Sequence, residues 1–215
     1  MRVAGEWIEN TATQAVCAAL TSAGWQALFV GGCVRNAALG LAVNDIDIAT
    51  DAVPETVTNL AENAGFKVVP TGIDHGTVTV IAGGMPHEVT TFRRDVETDG
   101  RRAVVAFTTA LHDDAARRDF TMNALYARPD GTVVDPLGGL DDLLRRRLRF
   151  VGHPEDRIRE DYLRILRFFR FTAIYGDPSL GMDADGLAAC ADLSAGIETL
   201  SAERIGAEMR KLLAA

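Results

Sequence analysis

Cysteine, histidine and lysine are all scarce in this sequence, and long apolar runs are missing. The three cysteines (Cys17, Cys33, Cys190) lie far apart with no C-x-x-C pair, and the four histidines are equally scattered. Neither a disulfide framework nor a structural zinc site is supported. No apolar stretch approaches the ~18 residues of a membrane-spanning helix, and the start, MRVAGEWIEN, lacks the basic-then-apolar order of a secretory signal. The expectation is a soluble cytoplasmic chain with no membrane partner. Its 47% hydrophobic content is enough for a buried core.

The near-absence of lysine throws the arginines into relief. All but two of the 22 basic residues are arginine, and most lie between Arg93 and Arg170, where they offset the acids although the whole chain carries −8. Arginine's rigid fork suits phosphates and base edges better than lysine's point charge. Solvated helix faces with surface ion pairs would produce the same composition.

Periodicity divides the chain near residue 150. Residues 11 to 23 read as an amphipathic helix opened by a Thr and closed at Gly24, followed by a short apolar strand from Gln26 to Val30 that ends in Gly31-Gly32. A helix from 33 to 39 closes at Gly40, and Asp45 to Ala49 alternate as a half-buried strand should. Pro54 opens a helix that runs to Gly65. Strand-like runs follow at 66 to 69, 76 to 82 and 87 to 92, the last two joined by the turn GGMP, so a mixed sheet is predicted. Arg93 to Ala103 read as a mobile polar loop, with a strand at 104 to 107. Residues 154 to 175 form one long helical pattern, and 184 to 214 form two more helices. The fold class is therefore an α/β head with a mixed sheet and flanking helices over 1–150, then an all-helical piece over 151–215.

The most informative chemistry is Asp45-Ile46-Asp47. On a strand, residues i and i+2 share a face, so two carboxylates project together while Ile46 and Ile48 point inward. Like charges that close resist joint ionisation unless a cation sits between them. Oxygen ligands with no histidine or cysteine nearby favour magnesium or manganese. An isolated D-x-D is more often a solvated strand edge. Here it gains weight by following a strand, Gly31-Gly32 and a helix, a turn whose backbone N–H groups suit phosphates.

These residues also carry a resemblance. The run Val30-Gly-Gly-Cys-Val-Arg-Asn36, then Leu39-Gly40 and Asp45-Ile-Asp47-Ile-Ala-Thr50, resembles the signature of class II transfer-RNA nucleotidyltransferases and bacterial poly(A) polymerases. Further segments agree in order: PTGIDHGTVTV with HEVTTFRRD, RRDFTMNALY, DPLGGLDDL, REDYLRILRFFRF and the tail SAERIGAEMRKLL. Asn36 departs from the pattern, which has aspartate there.

The resemblance implies a polymerase-β-like catalytic head with a helical neck, lacking the body and tail domains of longer family members. It implies two magnesium ions, with manganese as a substitute, held by Asp45 and Asp47, and Glu88 as a third catalytic carboxylate. Gly31, Gly32 and Arg35 would serve the nucleotide, with Arg118, Asp119 and Asn123 bracing its sugar and phosphates. Asp161 and Arg164, three apart on one helix, would read the base edge, and Arg167 and Arg170 would reach toward the triphosphate. The implied reaction adds C and A residues to the transfer-RNA 3′ end from CTP and ATP, releasing pyrophosphate, with no protein partner. Poly(A) addition, or addition of only the cytidines or only the adenosine, is a near alternative. A non-catalytic nucleotide- or RNA-binding module is the alternative from another class. Without body and tail, weak action on full transfer RNA is expected. Asp135-Pro-Leu-Gly-Gly139 reads as a structural turn.

Overall fold

The computed structural model describes residues 1–96 and 104–215. Its first elements are helices α1 (Glu6–Glu9) and α2 (Thr11–Thr21), strand β1 (Leu28–Val30), helix α3 (Gly32–Ala38), strand β2 (Asp47–Thr50) and helix α4 (Pro54–Asn63). Strands β3 (Lys67–Gly72), β4 (Thr77–Ala82), β5 (Met85–Thr91), β6 (Arg93–Val96) and β7 (Val104–Phe107) follow, then helix α5 (Leu111–Ala116) and the short strands β8 (Tyr126–Ala127) and β9 (Val133–Val134). The remaining helices are α6 (Gly139–Leu144), α7 (Pro154–Glu160), α8 (Leu163–Tyr175), α9 (Ala184–Asp192) and α10 (Ala202–Leu213).

The chain divides into two compact units, one of Met1–Arg117 with Asn123–Pro136 and one of Arg118–Met122 with Leu137–Ala215. In the first, seven strands form a mixed sheet in the order β3-β4-β5-β2-β1-β8-β9. β2 runs parallel to β5 and antiparallel to β1. Alternation along β4 sends Val78, Val80 and Ala82 inward, while Thr77, Thr79 and Ile81 are only half-buried. The inward face meets α2, whose buried Thr13, Val16, Cys17 and Leu20 recur at helical spacing, and α4 through Val57 and Ala61. Asn10 caps α2 by accepting from the Ala12 and Thr13 N–H groups, so the helix opens there and not on a threonine. His87 is fully buried in this layer, its Nε2 3.0 Å from Thr13 Oγ1, and burial lowers its pKa.

Gly83 and Gly84 both take positive φ between the paired Ala82 and Met85, forming the two-residue hairpin foreseen from GGMP. Arg93 to Val96 are not loop but strand, paired with 104 to 107. Residues 97 to 103, the rest of the expected mobile loop, lie outside the described residues. β8 and β9 were not foreseen, because two-residue strands carry no readable period.

The second unit has a phenylalanine core. Phe120 lies 4.9 Å from Phe150 between ring centroids, and Phe150 stacks on Phe168 at 5.3 Å. The Phe120–Phe150 bridge draws Arg118–Met122 into this unit with Leu137–Ala215. Gly138 takes a left-handed φ of 73° before α6, as the DPLGG turn requires. A Cβ on Gly139 would collide with the Thr121 carbonyl. Gly139→Ala is therefore expected to destabilise the protein by about 1–3 kcal/mol, through overpacking against rigid backbone, read as a lower melting temperature. An unchanged melt would show that this backbone yields.

The long helix expected over 154 to 175 is interrupted. Asp161 adopts extended backbone (φ −156°, ψ 105°) after α7, and its Oδ1 accepts from the Leu163 N–H at 3.1 Å, starting α8 afresh. The carboxylate competes for main-chain hydrogen bonds, which is how aspartate opens helices instead of continuing them.

Candidate functional site

Asp45 and Asp47 line one pocket of about 140 Å³ together with Gly32, Cys33, Arg35, Asn36, Val43 and Asn44. They reach it differently from the predicted strand face, because β2 begins only at Asp47 and Asp45 is exposed in the preceding segment. Ile48 is fully buried, while Ile46 is half-buried.

Glu88 is the register partner of Asp47 across the parallel β2–β5 pair, and Thr79 is the partner of Glu88 across β4. Paired strand residues share a face, so Asp47 and Glu88 stand side by side roughly 5 Å apart at Cα on the face opposite α2 and α4. Residue 88 is exposed and its neighbours His87 and Val89 are buried, so alternation assigns the carboxylate to the outer surface. Among the described residues no three His, Cys, Asp or Glu side chains gather into a metal cage.

The glycine turn takes its form from Gly31, whose φ of 69° at the N-cap of α3 needs glycine, and whose N–H is given to the Leu125 carbonyl at 3.1 Å. That N–H is therefore engaged in holding β1 to the Leu125 segment. Cys33 Sγ contacts the Val30 carbonyl at 3.3 Å, and burial pushes its thiol up to about 11. It stays protonated at neutral pH, so the pocket presents carboxylates and not thiolate.

Arg35 is buried, with Nη1 donating to Asn123 Oδ1, and Nε and Nη2 donating to Asn36 Oδ1 at 3.1 and 2.9 Å. Asn36 Nδ2 donates to the Ala42 carbonyl at 2.9 Å. Sequence reasoning brought Arg35 and Asn123 to the site separately. It had no signal for their bond, which ties α3 to a residue 88 positions further along the chain.

The other candidates belong to the second unit and are described within it. The RRD segment lies between the end of α5 at Ala116 and the 3₁₀ turn Thr121–Asn123. Asp119 Oδ1 accepts from the Phe120 N–H, and its Oδ2 takes both Nε (2.8 Å) and Nη2 of Arg167. Arg167 is thus joined to Asp119 in a forked pair. Arg170, expected to extend toward the triphosphate, is turned inward. Its Nε donates to the buried Glu208 at 2.6 Å, and its guanidinium lies 4.5 Å from the centre of the Phe171 ring.

Asp161 and Arg164 do not share the uninterrupted helix face predicted for them, because the chain breaks at Asp161. Asp161 Oδ2 accepts from Arg204 at 2.8 Å, and Arg164 Nη1 donates to Glu160 (2.6 Å) and to the Arg157 carbonyl (2.8 Å). Arg204 and Glu208 were missed in the sequence; α10 brings them in from some forty residues downstream.

Comparison with known proteins shows what this arrangement is similar to. Residues 27–149 match the family described as the poly(A) polymerase head domain. The Homo sapiens mitochondrial CCA tRNA nucleotidyltransferase 1 is 43% identical over 184 residues, covering 85% of this chain and 42% of that protein. A CCA-adding enzyme of Oceanobacillus iheyensis is 46% identical over 195 residues, covering 90% of this chain and 47% of that protein. The crystal structure of the Bacillus stearothermophilus CCA-adding enzyme in complex with CTP superposes with a TM-score of 0.83 at 38% identity, over 94% of this chain and 48% of that one. The chain thus spans about half the length of these relatives. Among the described residues no helix is long and apolar enough to cross a membrane.

Proposed function

Because this chain belongs to the poly(A) polymerase head-domain family, we propose that it carries the catalytic head (residues 1–150) and base-selecting neck (151–215) of a template-independent RNA nucleotidyltransferase. Its reaction adds C and A residues to the 3′ end of transfer RNA from CTP and ATP. The 3′-oxygen forms a bond to the α-phosphorus, the bond to the β-phosphate oxygen breaks, pyrophosphate leaves, and the hydroxyl proton passes to solvent. The observation that carries this reading is the pocket in which Asp45 and Asp47 stand with Gly32 and Arg35, with Glu88 in register beside Asp47.

The donor set fits divalent magnesium, with manganese as a substitute. Magnesium takes one or two protein carboxylates and fills its remaining positions with water and substrate phosphates, so a closed protein cage is not needed. Asp45 and Asp47 would hold two such ions, with Glu88 as the third carboxylate. When bound, they lower the pKa of the RNA 3′-hydroxyl and neutralise charge on the triphosphate and the departing pyrophosphate. The chain's own contribution is positioning. Gly31 and Gly32 admit the phosphates close to backbone, Arg35 and Asn123 brace the turn, and Arg118 and Asp119 serve the sugar and phosphates, with Asp119 orienting Arg167. Base choice is assigned to Asp161 and Arg164, the carboxylate accepting from an exocyclic amine and the guanidinium donating to ring acceptors.

The relatives named above are CCA-adding, and PTGIDHGTVTV resembles that group, which favours CCA addition over poly(A) addition. Purified protein is expected to bind CTP and ATP in the presence of magnesium by calorimetry. Incubated with RNAs ending at each step of CCA and with single nucleotides, it is expected to extend each by the correct residue and stop. Long ATP tails irrespective of RNA would make it a poly(A) polymerase, and binding without any transfer would make it a sensor module.

A further inference from the structure

We infer that Asn36 is a positioning residue for Asp45, acting through the carbonyl of Ala42. The inference rests on the cation-site reading above and adds a residue to it. α3 ends in a paired clasp: Gly40 takes φ 70° and donates to Ala37 O at 3.1 Å, while Leu41 donates to Asn36 O at 2.8 Å. The side chain of Asn36 extends the clasp by one residue, since Nδ2 donates to Ala42 O at 2.9 Å. Residue 36 therefore holds the chain at 41 through its main chain and at 42 through its side chain.

The segment 41 to 46 has no helix or strand of its own, and Asp45 lies within it. Its far end is tied by the Glu88 N–H, which donates to Ile46 O at 3.2 Å. Asp45 is thus suspended between two anchors, one of them supplied by Asn36, and both residues line the same pocket. The amide orientation follows from its partners. Oδ1 faces the Arg35 guanidinium, so Nδ2 must face the carbonyl, and the flipped amide would set donor against donor and acceptor against acceptor. An aspartate keeps the acceptor for Arg35 but has no proton for Ala42, and would direct an anionic oxygen at a carbonyl oxygen.

The test is Mn²⁺ titration, by electron paramagnetic resonance of the free ion, of wild type, Asn36→Ala, Asp45→Ala and the double variant, each first shown to melt cooperatively. Asn36→Ala is expected to weaken Mn²⁺ binding about tenfold, the usual scale for a group that orients a metal ligand. In the Asp45→Ala background it is expected to add nothing, because the ligand it positions is gone. Asn36→Asp isolates the Ala42 bond and is expected to bind no more tightly than wild type. Tighter binding there would show that charge count governs, and would overturn the inference. So would unchanged binding in Asn36→Ala, or additive losses in the double variant, with the cation site itself intact. A wild type that binds no Mn²⁺ would remove the site and the inference together.

Discussion

Asp47→Ala is expected to lower nucleotide transfer by about a thousand-fold or more while leaving the fold intact. The side chain stands where β2 begins, half-buried in the pocket it shares with Asp45. In the role proposed for it, losing a cation ligand would remove several kcal/mol of transition-state charge stabilisation, and ~4 kcal/mol corresponds to roughly 10³ in rate. Asp47 is the first residue of β2 and lies outside the buried core, so the melting temperature is expected to change little. Single-turnover extension of an RNA primer with labelled CTP, set beside a thermal melt, separates the two effects. Turnover at the wild-type rate would remove the carboxylate mechanism. A collapsed melt would instead assign Asp47 to the folding of β2.

Glu208→Ala is expected to destabilise the helical unit by about 3–5 kcal/mol, the scale for breaking a buried ion pair from one side. Glu208 is 5% exposed and accepts the Arg170 Nε at 2.6 Å, so its removal leaves a charged guanidinium in a site of low polarity. The ring of Phe171 offers that cation partial compensation. Glu208→Leu combined with Arg170→Met is expected to recover much of the loss, because burying neither charge avoids both desolvation penalties. Urea denaturation followed by circular dichroism reads each variant. Were Glu208→Ala to keep full stability yet lose CTP affinity, Arg170 would be a nucleotide ligand after all.

The parts of this protein legible from sequence are those governed by short-range rules. GGMP became a two-residue hairpin because two positive φ values in succession call for glycines. Asp45 and Asp47 came together beside the glycine turn because short loops leave few alternatives. Long-range competition for side-chain partners was not legible. The stripe Asp161, Arg164, Arg167, Arg170 looked like one helical face turned to a ligand. In the structure Asp161 is taken by Arg204, Arg167 by Asp119 and Arg170 by Glu208, all from far along the chain, while Arg164 is held locally by Glu160. Periodicity shows which residues share a side, and says nothing of what arrives there from elsewhere in the chain. The strand at Arg93 to Val96 escaped for the same reason, since its pairing partner supplies the order that its polar composition does not.

The parallel pairing of β2 with β5 ties accuracy of folding to competence. Sliding β5 by one position would present Val89 beside Asp47 and drive Glu88 into the apolar layer beneath. A misthreaded copy would carry a stranded charge inside and an oily side chain outside, and so would be unstable as well as inactive. Quality control that senses only instability would then discard the inert molecules too.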